Sequence, residues 1–139
     1  MTKRFMNKSI VLMLAILLIT HIAHVIEEIL GKAWFIDDYY GGLNNFIIVM
    51  LMLFLIPLVI IYFVLKQKSW AYHLSIIYAS VMILDALTHI VDAIIYKKYY
   101  HGSAGVFTGI IFIIIGSLLI YFIIEEIPSD MIMEASKNA

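Results

Sequence analysis

The sequence predicts an all-α fold, a four-helix transmembrane bundle, and three observations predict it. Hydrophobic residues make up 64% of the 139-residue chain and charged residues 14%, against about 25% charged in soluble domains, and mean hydropathy is +1.03. The apolar residues fall in four runs, at 9–30, 46–65, 71–96 and 106–124, each close to the ~20 residues a helix needs to cross about 30 Å of hydrocarbon. None of the runs alternates polar and apolar residues as barrel strands do; because lipid offers no partner to a free backbone amide, helix is the assignment left. Residues 1–139 read as a single membrane domain with no soluble domain attached.

The first run follows Lys3, Arg4 and Lys8 and has the basic start of a secretory signal. No convincing small-residue cleavage site follows it, and it continues into polar residues, so it is expected to stay as an anchor. The second opens after Asn44 and Asn45, placed to cap it and near enough its outer end to reach a pocket there, and carries Pro57, which removes a backbone donor and is expected to kink it. The third carries an isolated histidine, His73, near its start, expected to be interfacial or hydrogen-bonded. The fourth has Gly105, Gly109 and Gly116 on one face, an arrangement for close packing within the bundle or between protomers of a homo-oligomer. The tail, 125–139, has no core of its own and is expected to be mobile. Short connections make sequence neighbours antiparallel and in contact.

Six basic residues (Lys3, Arg4, Lys8, Lys66, Lys68, Lys137) flank the ends on one side and three (Lys32, Lys97, Lys98) the other. The positive-inside rule then puts both termini in the cytoplasm, with a bacterial cytoplasmic membrane the expected location. Aromatics sit at both predicted interfaces, Trp34, Phe35, Tyr39, Tyr40, Tyr99 and Tyr100 outside, Tyr62, Trp70, Tyr72 and Tyr121 inside, and belt residues are the plain reading of them.

Composition also excludes. A formal net charge of −1 speaks against nucleic acid as a partner, and with no cysteine there is no disulfide, thiolate metal site or cysteine nucleophile. Neither a Walker or dinucleotide glycine pattern nor G-x-S-x-G occurs.

The informative residues are ionisable and hydroxyl-bearing ones inside apolar runs: Thr20, His21, His24, Glu27 and Glu28 in the first helix, Asp85, Thr88, His89 and Asp92 in the third. Four unpaired acids at depth would cost on the order of 10 kcal/mol on the insertion scale, which demands compensation. At about 100° per residue, His21, His24 and Glu28 share a face with Glu27 at its edge, and Asp85, His89 and Asp92 form a similar stripe. These helices run in the same direction, so the stripes can meet in one pocket towards the outer leaflet. An internal echo, THIAH at 20–24 and THIVD at 88–92, with YYGG at 39–42 and YYHG at 99–102, is compatible with two related hairpins. A second register aligns His24 with His89 and Glu27 with Asp92.

The segment His24-Val-Ile-Glu27-Glu28 resembles the signature of the HXXEE-motif family of polytopic membrane proteins. That family pairs the motif with a further histidine, which His89 matches, and with Y-x-P-G, which Tyr99-Tyr100-His101-Gly102 matches except that His101 replaces proline. The resemblance implies a polytopic protein and a possible membrane enzyme, without a reaction to carry over.

Imidazole and carboxylate on facing helices are how bundles hold divalent metals, and a cation would also neutralise the buried acids. The leading expectation is therefore a metal-dependent membrane enzyme, a hydrolase or oxidoreductase acting on a lipid or other apolar substrate. His24, Glu27, His89 and Asp92 would be the ligands, His21 and Asp85 further ligands or their supports, and Glu28 the general base, around one or two ions of zinc, iron or manganese. The alternatives are metal-free proton chemistry through Glu28 and His89, in an isomerase or an ion or proton pathway, and a structural lock of interhelical hydrogen bonds without catalysis.

Overall fold

A computed structural model describes residues 3–96 and 104–126, with side chains over 8–95 and 104–125. Its elements in order are α1 (Lys3–Leu30), the one-turn α2 (Phe35–Asp38), α3 (Leu43–Leu65), α4 (Ser69–Tyr96) and α5 (Val106–Glu126). Four of them, over Lys8–Leu30, Leu43–Leu65, Ser69–Ile95 and Val106–Glu125, are long and apolar enough to cross a membrane. Among the described residues there is no strand. The Tyr99–Gly102 motif, Lys97, Lys98 and the tail beyond 126 lie outside the described residues.

Helix ends depart from the apolar runs by a few residues because the helices continue into the polar interface. α3 begins at Leu43, so Asn44 and Asn45 are inside it, not before it. Gly42 stands at its N-cap, and Asn45 instead donates from Nδ2 to the Tyr40 carbonyl at 2.9 Å. Both asparagines are exposed and neither lines the pocket described below. α1 and α3 end alike. Lys32 (φ 51°) and Gln67 (φ 56°) turn the chain through the left-handed region. Ala33 N–H then reaches the Glu28 carbonyl at 3.0 Å and Lys68 N–H the Phe63 carbonyl at 3.1 Å, the six-to-one closure that satisfies the last free carbonyls of a helix.

α1 packs along α3 and α5, and α4 also packs along α3 and α5, while α1 and α4 make no extended contact with each other. The two helices that carry the ionisable stripes are thus diagonal in the bundle, each presenting one face to its centre. At the end near the N-terminus of α1 the centre is filled: Leu14 and Leu17, Ile60 and Val64, Ala71 and Ala79, and Leu119 and Ile123 are fully or almost fully buried together. At the other end a smaller cluster, Val25, Ala33, Ile36, Phe46, Met50 and Ala104, forms around the loop after α1.

The glycine face of α5 is used inside this chain. A Cβ on Gly109 would lie 3.2 Å from the Cβ of Ala86, and one on Gly116 would lie 3.0 Å from Ile83 Cγ1 and 3.4 Å from the Ala79 carbonyl. Gly105 faces the two histidines described below. These contacts are packing within the bundle, one of the two roles expected for these glycines.

Candidate functional site

The diagonal brings the two stripes together at one end of the bundle. His24 Nε2 lies 3.1 Å from Asp85 Oδ2 across the bundle and 3.2 Å from Glu28 Oε1 one turn along its own helix. His89 Nε2 lies 3.2 Å from the same Glu28 oxygen and 4.0 Å from Asp85 Oδ1. Histidine and carboxylate alternate around a square, because the acid follows the histidine by four on α1 and precedes it by four on parallel α4. Neither register of the internal echo equates Glu28 with Asp85, so the square is not assembled from equivalent positions of two repeats. His24, Glu28 and His89 are buried, and Asp85 is partly exposed to the cavity.

The remote side of His24 is held by a chain of hydrogen bonds from α5. Glu27, expected among the ligands, is turned away from the square: its carboxylate accepts the backbone N–H groups of Phe107 (3.3 Å) and Thr108 (3.1 Å), the donors left free in the first turn of α5. Gly105, the residue before that helix, has no side chain to cap it, so Glu27 supplies the cap from α1, at the end where the helix dipole favours an anion. Thr108 Oγ1 lies 2.7 Å from Glu27 Oε2, 3.3 Å from the Gly105 carbonyl and 2.7 Å from His24 Nδ1. Its single hydrogen goes to the short bond with the carboxylate, which is the stronger acceptor. The hydroxyl then accepts from His24 Nδ1–H, and this sets the tautomer: in the neutral ring, Nε2 carries a lone pair.

That lone pair points at carboxylate oxygens. His24 Nε2 is buried and, despite oxygens at 3.1 and 3.2 Å, has no hydrogen bond among the described residues. An acceptor facing acceptors needs positive charge between them, which either a proton on Nε2 or a metal ion would supply. The donor set fits a metal: His24, Asp85 and His89 each offer a ligand atom, all within 4.8 Å of one another. Ligands about 2.0–2.1 Å from a tetrahedral ion are roughly 3.3 Å apart, close to the shorter edges of the square. Two imidazoles and a carboxylate suit zinc with an open position, or iron or manganese. His89 Nδ1, by contrast, is buried with no hydrogen-bond partner among the described residues, so only one ring is steered from behind.

Gly105 is the floor under both rings. Its φ is +108°, and a Cβ there would approach His24 Cε1 to 2.5 Å and His89 Cε1 to 3.2 Å. Backbone conformation and close approach both require glycine.

The square opens into a cavity of about 520 Å³ bounded by α1, α3 and α4 and roofed by Trp34, Phe35, Tyr39 and Tyr40. These aromatics, plainly read as a membrane belt, therefore also enclose the chamber, and α2 exists to present them. Burial holds the Tyr40 phenol above its ordinary range, and the facing carboxylates of Glu28 and Asp85 push the same way, so it stays a neutral donor at physiological pH. His21 and Asp92 line the cavity but stand outside the square. His21 Nδ1 is 3.1 Å from the buried Tyr78 hydroxyl. Thr20 and Thr88 donate to carbonyls of their own helices, Ile16 at 2.9 Å and Asp85 at 2.7 Å, and His73 lies 3.2 Å from the Ser69 carbonyl, exposed and far from the chamber.

Thr108, Gly105 and Tyr78 were not singled out for the site from the sequence. The only signal for Thr108 was a hydroxyl in the first turn of an otherwise apolar helix, and nothing local pointed it at His24.

A family model described as a protein of unknown function with HXXEE motif matches residues 10–120, from the first turns of α1 to the last turns of α5. No curated protein and no solved structure gives a significant match. The motif, read now in three dimensions, supplies one imidazole and one carboxylate of the square and the cap of α5, and the chain belongs to the HXXEE-motif family.

Proposed function

We propose that this chain is a metal-dependent integral membrane enzyme that binds one divalent ion, zinc, iron or manganese, through His24, His89 and Asp85, and acts on a lipid or other apolar substrate in the aromatic-roofed chamber. The observation that carries the reading is the buried His24 Nε2, made an acceptor by the Thr108–Glu27 chain and aimed at two carboxylates. A bound ion would supply Lewis acidity at the open side of the site. Glu28, with an oxygen 3.2 Å from both Nε2 atoms, is the general base or a fourth ligand; Tyr40 is a neutral donor at the chamber rim. With Glu27 capping α5 and Asp92 outside the square, one ion replaces the one or two expected. The charge distribution of the loops supports cytoplasmic termini and a chamber in the outer half of the membrane, in a bacterial cytoplasmic membrane.

A proton on His24 Nε2 would satisfy the same atoms, and the metal content of protein purified from metal-replete cells distinguishes the two. One equivalent of ion per chain, lost in His89→Ala without loss of helicity, is the expected result. Metal-free protein that binds none on reconstitution overturns the metal reading in favour of proton chemistry or a structural lock.

A further inference from the structure

A second hollow adjoins the chamber. It is a furrow of about 200 Å³ between α3 and α4, walled by Leu53, Ile56 and Ile60 on one side and Leu74, Ile77 and Tyr78 on the other. His21, Val81 and Met82 line both hollows, so the furrow borders directly on the chamber. At the seam the two polar side chains among the described residues of the furrow, His21 and Tyr78, are joined to each other at 3.1 Å. Beyond that pair, among the described residues, the walls are apolar. From Leu53 to Ile60 the furrow follows α3 for about 10 Å, at 1.5 Å per residue, deep into the spanning region.

We propose that the furrow holds one acyl chain of a bilayer lipid whose polar end lies in the chamber beside the histidine and carboxylate square. The inference rests on the metal-enzyme reading and names its substrate class. Size favours a chain over other occupants: whole small molecules fill about 300–1,000 Å³, and 200 Å³ cannot admit a neighbouring helix, which is about 10 Å across. Access is lateral. Leu53, Ile56, Leu74, Ile77 and Val81 are 37 to 57% exposed inside spans that cross the hydrocarbon, so a chain enters from the bilayer without passing through water. The His21–Tyr78 pair then stands where the lipid changes from apolar to polar, opposite the ester or head-group linkage.

The test uses the full chain in phosphatidylcholine vesicles containing a phosphatidylcholine with a diazirine near the end of one acyl chain, with labelled residues mapped by mass spectrometry. Labelling is expected to be several-fold higher on Ile56, Leu74 and Ile77 than on Ile110 and Ile114 of the outer face of α5. Ile77→Trp and Ile56→Trp, plugs on opposite walls, each reduce furrow labelling to the α5 level and leave metal content unchanged, whereas Ile114→Trp changes neither. Equal labelling of all exposed faces, or plugs without effect, overturns the acyl-chain site. Metal content, measured on the same samples, judges the metal reading separately: furrow labelling in metal-free protein supports the chain site and rejects the metal.

Discussion

The two ends of the bundle solve the same packing problem in opposite ways. Towards the N-terminus of α1, apolar side chains from all four long helices fill the centre. Towards its C-terminus, the same helices stand around a 520 Å³ cavity lined by imidazoles, carboxylates and aromatic rings. In lipid, helix association lacks the hydrophobic drive available in water and rests on contact and on polar pairs. The filled end can therefore hold the helices in place while the open end keeps charge where lipid alone would penalise it. The comparison teaches that the polar end is positioned by its neighbours: α5 by Gly105 below the rings and Thr108 behind one of them, α2 by its aromatic roof.

Substitutions at the two ends should separate stability from metal binding. The largest effect is expected at the square, where His24→Ala should abolish bound metal, measured by elemental analysis, with helical circular dichroism unchanged; collapse of the fold would convert the square into a structural lock. Gly105→Ala, which needs an alanine at φ +108° and a Cβ 2.5 Å from His24, should both destabilise the bundle by about 1–3 kcal/mol and lower metal occupancy. At the filled end, Leu119→Ala leaves a cavity and should cost about 2 kcal/mol, the low end for such truncations because lipid takes the place of water as the reference; metal content should stay at the wild-type level. Thr108→Val removes the acceptor behind His24 and should weaken metal affinity by roughly 10–100-fold with little change in thermal stability, and Thr108→Ser should restore it. Tyr78→Phe is the mildest, about 1 kcal/mol or less in unfolding; an equal loss of metal would draw His21 into the coordination set.

The four spans were legible because lipid imposes long uninterrupted helices, and those leave long apolar runs. The stripes on α1 and α4 were legible too: periodicity placed His21, His24 and Glu28 on one face, and all three are buried. Glu27 turns from the square to α5 for a specific reason. Helix geometry put it at the edge of the polar face, but whether an edge residue turns into the centre or towards a neighbouring helix depends on which neighbour is there. The first turn of α5 is, and the backbone N–H groups of Phe107 and Thr108 donate to it. For Asp85 and Asp92, seven residues apart on one stripe, depth relative to Glu28 decided which of them meets the histidines.

By itself the sequence determined the membrane class, the number of spans and the two faces that must avoid lipid, because these follow from local hydropathy and the helical period. The tertiary structure alone decided that α1 and α4 lie on a diagonal, that a threonine of α5 backs one histidine and the glycine before that helix lies under both rings, and that the loop after α1 forms a roof. Those outcomes depend on which helices become neighbours, a choice made by packing between segments more than eighty residues apart, over distances that no local pattern records.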